Sequence, residues 1–76
     1  MKIELVKFKT GDYGVRGRKH RFQPWEYYEA ATYHGYTSDR GIAYNCQFNL
    51  GRAKILLGEI KELRKKYDIN PVEVIG

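Results

Sequence analysis

The chain is poor in the residues that do covalent chemistry or staple a fold. Its 76 residues include one cysteine (Cys46), one serine (Ser38) and two histidines (His20 and His34). A single cysteine rules out an intrachain disulfide and fits a reducing compartment. The two histidines lie far apart in sequence, with no cysteine or carboxylate at ligand spacing, so no metal site is expected. Ser38 lies in a polar stretch with no base beside it. Cys46 shares the alternating phase of Ile42 and Phe48, which implies a buried, unreactive thiol. Glu26 and Glu29 read as surface carboxylates, and no dinucleotide or phosphate-loop fingerprint occurs. The expectation is a non-enzymatic protein without a cofactor.

Long apolar runs are missing too. Nothing approaches the ~20 residues that span a bilayer. The opening Met1-Lys2-Ile3-Glu4 carries charge where the apolar region of a signal peptide would begin. The reading is a soluble, cytoplasmic protein that does not associate with membranes. A chain of this length forms one domain, residues 1–76, with a thin core that buries roughly 60–65% of the surface its unfolded form exposes.

What the chain does have is positive charge, unevenly spread. The net charge is +5. Residues 1–22 hold seven Lys or Arg (2, 7, 9, 16, 18, 19, 21) against Glu4 and Asp12, while the remainder holds seven of each sign. Positive potential therefore belongs to the N-terminal third. Aromatics follow at once: Phe22, Trp25, Tyr27 and Tyr28.

Hydrophobic spacing predicts an α+β fold. Residues 2–9 alternate with a change of phase, Ile3 and Leu5 one way and Val6 and Phe8 the other. Either both faces of this strand are covered or a bulge shifts its register. Thr10-Gly11-Asp12 is turn chemistry, and residues 13–18 return as a second strand, making a hairpin. Residues 24–34 carry signals for helix (Pro24, Glu26, Ala30-Ala31) and for strand (the aromatics and Thr32). The density of aromatics favours strand. Residues 35–41 read as a loop. Ile42, Tyr44, Cys46 and Phe48 alternate with polar or small residues and predict a half-buried strand. Asn49 is a suitable N-cap for a helix over residues 50–67, whose stripe is Ala53, Leu56, Leu57, Ile60, Leu63 and Tyr67. Asn70-Pro71 ends it, and Val72-Glu73-Val74 predicts a last short strand. The architecture expected is a small antiparallel sheet of about four strands, with one long C-terminal amphipathic helix packed on one face and the other face open.

On that frame, a basic and aromatic sheet surface emerges as the candidate site. Arg16, Arg18, Lys19 and Arg21 would meet phosphates while Trp25, Tyr27 and Tyr28 stack on bases. Arg16 and Arg18 project from one strand face, so they can share a target. The partner is then a nucleic acid, DNA or RNA. The alternative is a small inhibitor or adaptor that acts on a host protein through Tyr33, His34 and Tyr36, since tyrosines suit protein interfaces. A homodimer that closes the open face is a third reading. Gly14-Val15-Arg16-Gly17 matches a backbone-clamping GxxG string, but its surroundings read as strand rather than as a helix–helix loop. Gly58 and Ile55, away from the helix stripe, would be explained by a close partner, though a single exposed Ile needs none.

The run from Ile42 to Phe48 into Asn49-Leu50-Gly51-Arg52-Ala53, with Leu56 and Leu57 beyond, resembles part of the arm-site DNA-binding domains at the N-termini of tyrosine recombinases. The resemblance covers under half the chain, and Val72-Glu73-Val74 departs from it. It implies a three-stranded sheet followed by one helix, and membership is not assigned. A chain this short is also similar to the small open reading frames of phages and mobile elements.

Overall fold

The computed structural model describes residues 2–32 and 35–66. Within these the fold is α+β: a three-stranded antiparallel sheet in the order β1-β2-β3, with two helices. Strand β1 (Lys2–Lys7) and strand β2 (Tyr13–Arg18) form the expected hairpin. Gly11, with φ 96°, takes the left-handed conformation its turn requires, and Phe8 N–H closes that turn on the Asp12 carbonyl at 2.8 Å.

The register runs unbroken from Lys2↔Arg18 to Lys7↔Tyr13, so the phase change in β1 is not a bulge. Both faces are covered instead. Ile3, Leu5 and Val15 face the core with Leu56, Ile60 and Tyr28. On the opposite face, the Phe8 ring packs where Gly14 has no side chain and lies 5.7 Å from the Tyr27 ring.

Strand β3 is only Glu26–Tyr27, paired with Gly17 and Arg16. Of the long strand expected over residues 24–34, two residues are strand among those described, 24–32. The outer edge of β2 is completed by a second piece of chain. Phe48 exchanges two backbone hydrogen bonds with Tyr13, each 2.7 Å. Tyr36 bridges the far side of Tyr27 in the same way.

The strand expected from Ile42 to Phe48 is a helix for most of its length. Helix α1 (Asp39–Asn45) starts at Ser38, whose Oγ accepts from Gly41 N–H at 3.2 Å. Ser38-Asp39 falls within the loop expected over residues 35–41, but a serine that bonds nearby backbone is equally an N-cap. Ile42 and Cys46 share a face because they are four apart, a spacing that satisfies both period 2 and a helical turn. Tyr44 then points outward, 79% exposed. A second helix thus replaces a fourth strand, and the strand-to-helix junction behind the recombinase resemblance is mostly helix-to-helix.

Helix α2 (Leu50–Lys66) matches its prediction. Asn49 Oδ1 accepts from Arg52 N–H at 2.8 Å, and Ala53, Leu56 and Ile60 are buried against the sheet. The remaining expected strand, Val72-Glu73-Val74, and the helix end at Tyr67 lie outside the described residues. Among the described residues no helix is long and apolar enough to cross a membrane.

Candidate functional site

The basic run that is continuous in sequence is divided by the hairpin. Lys7 and Lys9 sit toward the turn end, whereas Lys2 pairs with Arg18 at the other end. Five strand steps put these ends roughly 17 Å apart. The aromatics follow the second end, so the site is built there.

Arg16 is not available to a ligand in the way its position in sequence suggests. It lies directly opposite Glu4, and its Nε and Nη2 reach Glu4 Oε1 at 2.7 and 2.6 Å. Its Nη1 donates to the Tyr27 hydroxyl at 3.1 Å. Partial burial works against the guanidinium charge, yet the bonds to Tyr27 and Glu4 outweigh it and raise the pKa above its ordinary value. Arg16 is thus a fixed part of the sheet, and Tyr27 is committed with it.

Trp25 links Arg16 to Arg18. Both guanidiniums lie against its ring, at 4.2 and 4.1 Å from the centroid. Cation–π contacts of this kind contribute about 0.5–1 kcal/mol each at exposed sites. Tyr28, by contrast, is 3% exposed and belongs to the core, so it has no ring face to offer a base. Tyr36 is half-buried, with its hydroxyl donating to Glu29 at 2.9 Å. Tyr33 and His34, the rest of the alternative protein-binding group, lie outside the described residues.

The turn that follows β2 is the most exposed part of this end. Gln23 N–H bonds the His20 carbonyl at 3.0 Å, so Arg21 and Phe22 occupy the two corner positions of a β-turn. Two further bonds hold it: Lys19 N–H to Gln23 Oε1 at 2.9 Å, and Arg18 Nη1 to the Arg21 carbonyl at 3.1 Å. A corner side chain has no strand or helix to pack on, and Phe22 is 82% exposed. The Arg21 guanidinium lies 4.9 Å from its ring. Lys19, His20 and Arg21 are exposed beside it.

Phe22 belongs to the aromatic run, but residue type alone did not single it out as a site residue. The available signal was its place between Arg21 and Gln23, in a polar segment that ends in Pro24. A groove of ≈ 600 Å³ lies elsewhere, between Ala30, Ala31 and Thr32 on one side and Gly58, Glu59, Glu62 and Leu63 on the other. Its charged lining residues are Glu59 and Glu62, which makes it unsuited to an anion. Comparison of the chain with protein-family models, with curated proteins and with solved structures found no match.

Proposed function

We propose that the protein is a non-enzymatic, cytoplasmic nucleic-acid-binding module that contacts the backbone and stacks on bases with little sequence choice. The observation that carries this reading is Phe22, an exposed ring at the corner of a turn made rigid by three hydrogen bonds, among Arg18, Lys19 and Arg21. A lone exposed apolar residue is ordinary. A preorganised ring surrounded by cations is suited to a ligand that is both flat and anionic. Arg18, Lys19 and Arg21 supply phosphate contacts, Phe22 supplies stacking, and Trp25, held by Arg16, forms the shelf against which the Arg18 guanidinium lies.

Trp25 is the chain's single tryptophan and lies within this site, so it reports on binding directly. Titration with single-stranded DNA, RNA and duplex DNA is expected to change its fluorescence. The affinity should fall steeply as salt rises, because each neutralised phosphate releases condensed counterions. Absence of binding at low salt would overturn the reading. It would favour protein binding through Tyr44 and Ile55, 79% and 57% exposed on the two helices, for which association would tolerate salt.

A further inference from the structure

The last turn of α2 converges on the same end of the sheet as the Phe22 turn. Arg64 Nη2 donates to the Tyr28 hydroxyl at 3.1 Å. That hydroxyl lies against Gly17, where a Cβ would come within 3.0 Å of it and within 3.1 Å of the Lys2 carbonyl. Gly17 immediately precedes Arg18, and Lys2 is the strand partner of Arg18. Lys61, Arg64 and Lys65, spaced to share one side of the helix, are all exposed. The C-terminal end of α2 is therefore tied through Tyr28 to the end of β2 that leads into the Phe22 turn, about forty residues earlier in the sequence.

We propose that this end binds a single-stranded nucleic acid along a two-part track, with backbone phosphates on Lys19 and Arg21 at one part and on Lys61 and Lys65 at the other. This rests on the nucleic-acid reading above and adds the class of ligand and the second half of its footprint. Phe22 decides for a single strand. Its ring is exposed apart from the Arg21 guanidinium over it, and only an unpaired base has a face free to stack on the rest, since duplex bases are already stacked on both sides. Nor is α2 free to lie in a groove, being packed on the sheet through Ala53, Leu56 and Ile60. Glu4, which also lies 3.9 Å from Lys2, is held by Arg16.

The test is fluorescence anisotropy on the whole chain with labelled oligothymidylate of about 15 nucleotides, matching oligouridylate, and a duplex of equal length, over a salt series. The single strands are expected to bind at least about tenfold more tightly than the duplex, which corresponds to loss of one stacked base. Lys61→Gln and Lys65→Gln, both at exposed helix positions, are each expected to lower the slope of log affinity against log salt by about 0.7, as Lys19→Gln does. Wild-type protein that binds none of the probes would overturn the nucleic-acid reading itself. Equal or tighter binding to duplex would overturn the choice of a single strand while leaving that reading in place. Unchanged slopes for both helix variants, with a lowered slope for Lys19→Gln, would confine the footprint to the turn and overturn the two-part track.

Discussion

Glu4 and Arg16 face each other across β1 and β2 with Nη2 2.6 Å from Oε1, and this pair holds Arg16 in the sheet rather than over a ligand. Arg16→Glu would set two carboxylates opposite one another and also remove the contacts to Tyr27 and Trp25. It is expected to destabilise the domain by about 1–3 kcal/mol. Arg18→Glu should cost less than about 1 kcal/mol. Urea unfolding of the two variants checks the order. Equal midpoints would mean that the Glu4–Arg16 pair contributes nothing.

Phe22→Ala should leave stability within about 0.5 kcal/mol of wild type, because the ring buries little. If the ring stacks on a base, affinity for single strands falls by about 1–3 kcal/mol. Unfolding and anisotropy measured on one preparation separate these effects. Unchanged affinity would remove Phe22 from the site.

Two glycines should respond in opposite directions to alanine. A Cβ at Gly14 would come within 2.7 Å of both the Cys46 carbonyl oxygen and the Phe8 ring, so backbone as well as side chain would have to shift. Gly14→Ala is expected to cost about 1–3 kcal/mol. At Gly58 a Cβ meets nothing within 4 Å, and the position is interior to α2. Gly58→Ala should add about 1 kcal/mol, and in a domain of this size each kcal/mol moves Tm by about 4–8 °C. Thermal melts that shift in the same direction would contradict the packing described.

Cys46 is buried, and its Sγ donates to the Tyr27 carbonyl at 3.3 Å. Burial, aided by the charge of Glu29, pushes its thiol up to about 11. At neutral pH the thiol should react with alkylating reagents at least about a hundredfold more slowly than in the unfolded chain. A folded pKa above the unfolded one means that the native state holds the proton more tightly. The associated stability is present below pH 9.0 and is lost as pH rises toward about 11. The comparison of wild type with Cys46→Ala isolates this loss from the titration of tyrosine and lysine. A parallel pH dependence of the two proteins would refute it.

The parts of this fold that were legible in sequence are those set by local chemistry. Gly11 and Asp12 specify the hairpin turn because only a few residues tolerate its backbone, and the alternation on either side pairs without help. Helix α2 is announced by Asn49 and by a stripe that recurs over several turns. Where the local signal was short, the tertiary structure decided. Ile42, Tyr44, Cys46 and Phe48 satisfy a strand period and a helical i, i+4 pair equally. The choice fell to Ser38 as a cap and to the free edge of β2 at Tyr13, which needed only Phe48. The site followed the same rule. Its positive charge was visible in Arg18, Lys19 and Arg21, because charge is a property of composition. Which ring is exposed was not, because Phe22 and Tyr28 are alike as residues and differ only in what lies above them. Tyr28 is covered by α2 and Phe22 only by the neighbouring Arg21 side chain, and the contact that brings Arg64 to Tyr28 exists only once the helix has packed across the sheet.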